Sequence, residues 1–448
     1  MKKVLATILA LVMALALCSV SWANATEVKT EAELTTAVSN GGEIKLGANI
    51  TLTSMLTIPA DKTVTLDLNG LSITSAGKVI KNNGILTITD TKGGGKIIST
   101  GNTAVGVGDN SKTTIKTAII ESVEGAVITG YATGATINIE DGIFSASDNA
   151  VVAGNGNRTN EAGAERTVGN TINISGGTFN GQIKTPTYVA CGIYAPWKDT
   201  IKVTGGTFNI TGGAGIVARA GSVSVSNATI NTTGNATGKV GDSRVVVPCS
   251  AIVFDSEAAY PALTNTSAIS VESGTFTSDA DAIRVVKPEG EGAVERVAVT
   301  GGTFSSDVSN YTADNTPVAS NERTNERTYY VGAETIQNVA SNLSAGQWLA
   351  IMKGNVTLRD VPAGVIVRPV NDIVGVVVNG KNISGNQYID GYTVPQSSGY
   401  YYYQPTTDTK TTDTKGSPKT FDAGIALYVG MALTSAAGVA FVGKKRED

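Results

Sequence analysis

The segment SDADAIRVV, residues 278–286, gathers the side chains best suited to chemistry. Asp279 and Asp281 stand two apart, so on a strand their carboxylates share one face. Arg284 follows three residues later. Two carboxylates and a guanidinium are parts from which an acid–base site can be built. The same residues also read as a polar corner ahead of a buried Ile283. No paired-aspartate motif accompanies them, and the chain contains no histidine at all. That absence removes serine–histidine and cysteine–histidine nucleophile systems and the commonest transition-metal ligand.

Composition sets the background for these residues. Glycine accounts for 52 of 448 residues, charged residues for 16% and aromatics for 6%. Small residues with many Thr, Val, Ile and Asn favour strands joined by tight corners. A net charge of −4 with no basic patch offers nothing to nucleic acid.

The elements that position these residues come from a repeated phrase. TINIEDGIF (136–144), TINISGGTF (171–179), TIKVTGGTF (200–208), AISVESGTF (268–276) and RVAVTGGTF (296–304) are its full copies. KTTIKTAII (112–120) and SVSVSNATI (222–230) are degenerate ones. Ile172 and Ile174 alternate with polar residues, the pattern of a half-buried strand. Gly176-Gly177 then supplies a corner, and Phe179 points inward beyond it. A shorter apolar phrase follows most copies: AVI, AVV, GIY, GIV, AIV and AIR. Each repeat therefore holds at least two strands. Repeat lengths run from 22 to 46 residues, with the surplus between strands, as a solenoid tolerates.

Coiled strands of this length, stacking Ile on Ile and Phe on Phe, resemble the right-handed parallel β-helix of the pectate-lyase-like superfamily. The resemblance implies an all-β solenoid. Members that cleave acidic polysaccharides hold calcium with clustered carboxylates and abstract a proton with Arg or Lys. Hydrolytic members use several aspartates on neighbouring coils. Asp279, Asp281 and Arg284 are the weak catalytic match here, calcium is the one cofactor so implied, and no protein metal site is expected.

Both ends of the solenoid look capped. EAELTTAVSNGG (31–42) carries Leu34, Ala37 and Val38 at helical spacing, with Gly41 as a stop. AETIQNVASNLSAGQWLAIMKGNVTLRDVPAGVIV (333–367) repeats the order helix, strand, x-V-T-L and a proline turn. Closing exposed strand edges is a requirement of such a stack. Cys191 and Cys249 each precede a strand of the shorter phrase, with the GIV strand on a coil between them. Coils lie about 4.8 Å apart, so two coils span roughly 9.6 Å, beyond the ~7 Å reach of a disulfide. Two reduced thiols are expected. The insertions 155–170 and 321–328 share an Asn/Glu/Arg/Thr composition and read either as ligand loops or as solvated ones. Tyr400 to Tyr403 could stack sugars or pad the last coil; padding is the preferred reading.

The chain ends address location. Lys2 and Lys3, an apolar run to Val20 and the small residues Ala23 and Ala25 make a secretory signal peptide cut before Thr26. Leu17 before Cys18 argues against lipid attachment. Near the other end, residues 423–443 carry no charge and are long enough to cross a bilayer. Lys444, Lys445 and Arg446 follow, as on a retained cytoplasmic side. Ahead of the span stands Ser417-Pro418-Lys419-Thr420-Phe421. The arrangement resembles the sorting signal of sortase-anchored Gram-positive surface proteins. It implies cleavage after Thr420 and attachment to peptidoglycan by a sortase transpeptidase. Ser417 and Phe421 depart from the usual residues at their positions.

The expected organisation is a signal peptide (1–25), a cap with first coils (26–110), a repetitive β-helix (111–310) and a C-terminal cap (311–403). A disordered spacer (404–416), in which TTDTK occurs twice, and the sorting signal (417–448) complete it. The functional expectation is a wall-anchored surface protein that binds glycan or another surface without catalysis. A polysaccharide lyase or hydrolase and a passive spacer are the alternatives.

Overall fold

Alternation of Ile or Val with Thr, Asn or Ser gives each phrase copy one face that water disfavours and one that it solvates. In the computed structural model, Ile172, Ile174, Ile201, Val203, Ile269 and Val271 are buried, while the residues between them face outward. The structure describes residues 24–128, 132–147, 149–154, 167–183, 190–219, 221–234, 237–239, 246–255, 268–286, 297–321, 327–371, 374–383 and 390–396. The signal peptide up to residue 23, the Tyr400 cluster, the spacer, the apolar span and the sorting motif lie outside the described residues. So do most of the two Asn/Glu/Arg/Thr insertions. Among the described residues no helix is long and apolar enough to cross a membrane.

The described residues are almost all strand or corner, with two helices of ten residues each. Strands interleave in a fixed order through three long sheets of 11, 15 and 9 strands. One coil places a strand in the first sheet, turns, places one in the second, turns again, and places one in the third. Thr171–Ile174, Thr178–Gln182 and Ala190–Ala195 form one such coil, and Thr200–Val203, Thr207–Thr211 and Gly213–Ala218 form the next. Neighbouring coils pair in parallel: Ile172 with Ile201, Phe179 with Phe208, Ile193 with Ile216. Among the described residues nine coils are complete, from Gly42–Leu46 to Ile283–Val286, and the stack runs through residue 110 without interruption. Long parallel sheets in this order are compatible with a β-helix. The phrase therefore carries two strands on either side of its glycine corner, and the shorter phrase supplies a third.

Registers confirm the repeat spacing. Ile120, Phe144, Phe179, Phe208, Ile230, Phe276 and Phe304 are successive partners in the second sheet. The longest repeat, 46 residues between Ile230 and Phe276, returns to the same column as the 22-residue one. Insertions leave the stack in register because each coil contacts only its neighbours.

Helix α1 (Glu31–Asn40) covers the first coil. Thr30 caps its start by accepting from the Glu33 N–H, Leu34, Ala37 and Val38 are buried, and Gly41 ends it at φ +82°. That positive φ is one that a residue with a Cβ resists. At the other end the strand of Phe304 pairs with an antiparallel strand, Tyr329–Val331, and the second sheet continues through Val318–Ser320 into Trp348–Lys353. Helix α2 (Ala333–Asn342) leads into Trp348–Lys353 and Val356–Leu358, which pair in parallel with Ile366–Pro369 and Val376–Val378. The late module thus starts a coil again, on its own core of Ile336, Leu349, Val356, Val367 and Val376.

The third sheet differs from the other two. Three of its middle strands read AVVA, ACGIYA and GAGIVA and are buried on both faces. Ala150, Cys191, Ala214, Val217 and Val253 form an outer apolar cluster there. Continuous apolar runs of this kind mark strands covered on both sides.

Candidate ligand face

Asp279 and Asp281 do not share the face of a strand. Asp279 follows the strand Gly274–Ser278, and Asp281 lies in the corner before Ile283–Val286. Asp279 accepts a 2.7 Å hydrogen bond from the Gly234 N–H of the preceding coil. Asp281 instead pairs with Arg284 at 3.1 Å, both side chains more than half exposed. The corner reading explains both contacts: one carboxylate closes a turn, and the other makes a surface ion pair of little net energy. Ile283 behind them is buried, as that reading requires. Among the described residues no three of Cys, Asp and Glu gather closely enough to hold a metal ion.

Cys191 and Cys249 are free and buried. Cys191 pairs with Ala214, and the coil of Ala214 pairs onward with Ile252. A full coil therefore separates the two cysteines, as the repeat spacing requires. Burial pushes both thiols up, Cys191 far above the usual thiol range. Neither is a poised nucleophile.

The middle strands of the third sheet are covered on both sides, whereas the outer faces of the first two sheets carry repeated polar rows. On the second sheet, the residues that flank the inward Phe column repeat. Thr178, Thr207, Thr229, Thr275 and Thr303 form one outward row, a threonine per coil. Asn180, Asn209 and Asn231 form the next row, two residues along each strand. Their side-chain amides bond to one another, Asn209 Nδ2 to Asn180 Oδ1 and Asn231 Nδ2 to Asn209 Oδ1, each at 3.3 Å. The first sheet carries a shorter version, Asn173 Nδ2 to Asn138 Oδ1 at 2.9 Å. Each bonded amide leaves further donor and acceptor capacity facing water.

Beside the second-sheet ladder runs a groove of about 450 Å³. Ser145, Ser147, Asn180, Gln182, Asn209 and Thr211 line it, with Glu121 at one end. Glu121 is held by Lys96 of the preceding coil at 3.1 Å. The rest of the lining is uncharged. Hydroxyls and amides at a repeat of about 4.8 Å can exchange hydrogen bonds with a neutral polyhydroxylated chain.

Comparison with protein-family models, with curated proteins and with solved structures returns no match.

The outward rows were present in the repeated phrase. Thr178-Phe179-Asn180, Thr207-Phe208-Asn209 and Thr229-Ile230-Asn231 all read polar–apolar–polar. Attention to the inward Phe leaves the two flanking residues as mere solvation, until the registers show them stacking in rows.

Proposed function

We propose that this chain is an exported, wall-anchored Gram-positive surface protein whose β-helix binds glycan without catalysis. The observation that carries the binding is the Asn180–Asn209–Asn231 ladder beside its largely neutral groove. The coils wind right-handed, the hand that parallel crossovers take. Anchoring is supported by the sequence pattern at the two ends: the signal peptide, Ser417 to Phe421, the apolar span and the basic tail. A sortase and peptidoglycan are the partners of that step, and glycan is the partner of the folded part.

The test incubates the purified protein, with calcium present, with pectic, uronic and neutral polysaccharides, and follows polymer size and co-elution. Co-elution at unchanged size, weakened by Asn209→Ala, is the expected result. A shortened polymer puts the lyase or hydrolase reading in its place and directs mutation to Asp279, Asp281 and Arg284. Absence of any association returns the protein to the passive-spacer reading.

A further inference from the structure

A second concavity, of about 720 Å³, lies where α2 stands over the last coils. Its floor is the end of the threonine row, Thr229, Thr275 and Thr303, which are successive partners in the second sheet. Its wall is one face of α2, with Thr335, Asn338 and Asn342 at helical spacing and the apolar Val339 and Leu343 beside them. The wall is fixed from both sides. Thr335 Oγ1 accepts from the Gly302 N–H at 3.4 Å, and on the far side Gln337 exchanges two hydrogen bonds with the backbone of Arg359, at 2.7 and 2.9 Å.

Three features of the lining define an occupant. None of the lining residues is charged, which disfavours phosphate, uronate or any ligand that needs an ion pair. The floor consists of strands paired on both sides, so their backbone groups are already used within the sheet. An extended peptide therefore finds no edge to augment. What remains free is side-chain chemistry: the hydroxyls of Thr229, Thr275 and Thr303 and the amide of Asn338 make no hydrogen bond among the described residues. Three hydroxyls in a line about 10 Å long, facing amides and two apolar side chains, match a run of sugar rings. Ring hydroxyls can bond to the floor, and C–H faces can rest on Val339 and Leu343.

We propose that the cleft between α2 and the threonine row is a second binding site, for an uncharged linear saccharide lying along the coil axis. The ligand class rests on the glycan-binding reading above; the location rests on the cleft itself.

The test uses the full chain and isothermal titration with six-unit β-1,4-linked oligomers of glucose, xylose and N-acetylglucosamine. An uncharged peptide of similar length serves as the other probe. Thr275→Val keeps the β-branched shape a strand accepts, and Asn338→Ala removes an amide that bonds to nothing else, so both variants retain the fold. Each is expected to weaken one of two saccharide-binding steps roughly three- to tenfold, the effect of one hydrogen bond, while Asn209→Ala weakens the other step and leaves this one unchanged. If Asn209→Ala alone weakens binding, the glycan reading stands and the cleft site is wrong. If no saccharide binds, both readings fall. Peptide binding that responds to Thr275→Val and Asn338→Ala, without saccharide binding, overturns the ligand class.

Discussion

The ring of Phe179 lies 4.4 Å from the ring of Phe208, centroid to centroid, with the planes only 10° apart. Phe144 stacks on the other side of Phe179 at 4.9 Å. Near-parallel stacking in strict register follows from parallel strands that repeat the same residue at the same place. Phe179 is fully buried between its neighbours, so truncation leaves a cavity that two flanking coils border. Phe179→Ala is expected to cost about 3–5 kcal/mol, read as a lower guanidinium midpoint. Because coils contact only their neighbours, hydrogen exchange should accelerate most in the coils of Phe144, Phe179 and Phe208. Uniform acceleration along the whole chain would reject this local picture.

The phenylalanine column and the glycine corners depend on each other. A Cβ built on Gly142 or Gly274, both at positive φ, would meet the Ala118 or Ala228 carbonyl of the preceding coil at 2.6 or 2.5 Å and then, at 3.1 Å, the ring of the Phe two residues on; one on Gly177 would stand 3.2 Å from the ring of Phe144. The coil that has Ala228 at this corner, paired with Gly274, carries Ile230 in place of Phe. Ala with Ile and Gly with Phe are therefore two packings of one corner. Ile230→Phe alone should overpack, costing about 1–3 kcal/mol. Adding Ala228→Gly should recover at least about 0.5 kcal/mol of that through coupling. A double-mutant cycle by denaturation measures this, and strict additivity would show the corner and ring to be independent.

At the N-terminal cap, Glu31 reaches from α1 to the first coil. Its carboxylate accepts from the N–H groups of Thr53 and Ser54, at 2.8 and 3.1 Å, and from the Thr53 hydroxyl. The Ser54 N–H first, then the Thr53 hydroxyl, holds its pKa below the usual glutamate value. A carboxylate depressed in the folded state adds stability that is present above its unfolded pKa and lost as pH falls through the folded one. Glu31→Gln should therefore destabilise the cap at pH 7, and the gap from the native protein should close below the ordinary glutamate range. Exchange rates of the Thr53 and Ser54 amides at pH 7 and pH 3 test this. An equal gap at both pH values would assign the effect to packing.

Much of this architecture was legible because a solenoid writes its register into the chain. The Ile and Phe columns, the helices starting at Glu31 and Ala333, and the separation of Cys191 from Cys249 follow from periodicity and spacing. The outward rows were harder to see, because Thr178 and Asn180 look like ordinary solvated residues until coils stack. Asp279 and Asp281 misled for the opposite reason. Spacing two apart implies a shared face only inside a strand, and a corner intervenes between Ser278 and Ile283. The cleft under α2 was invisible to sequence, since its floor and wall meet only after the chain returns across the second sheet.

The thiols give a direct check on coil order. Cys191 Sγ lies 2.9 Å from the carbonyl oxygen of Ile193, in a site that desolvation makes hostile to a thiolate. At pH 8 the folded protein should react with an alkylating reagent only as fast as it opens. In guanidinium without reductant, both Cys191 and Cys249 should label fully. Absence of labelling there would reveal a disulfide and shift the assignment of coils between them.

Anchoring leads to the most decisive cellular experiment. In the proposed reaction the Thr420–Phe421 bond breaks and the Thr420 carbonyl is transferred to a cell-wall amine, releasing the apolar span with its basic tail. Thr420→Ala removes the side chain that the transpeptidase reads beside the bond to be broken, and leaves residues 423–443 in place. The variant should move from the wall fraction to the membrane fraction, extracted by detergent and not by wall-digesting enzyme. The substitution leaves the repeated phrases unchanged, so the proposed glycan binding of the solubilised variant should match that of the native protein. If wall-digesting enzyme still releases Thr420→Ala, covalent sorting at this threonine is wrong, and residues 423–443 serve as a plain membrane anchor or in some other capacity.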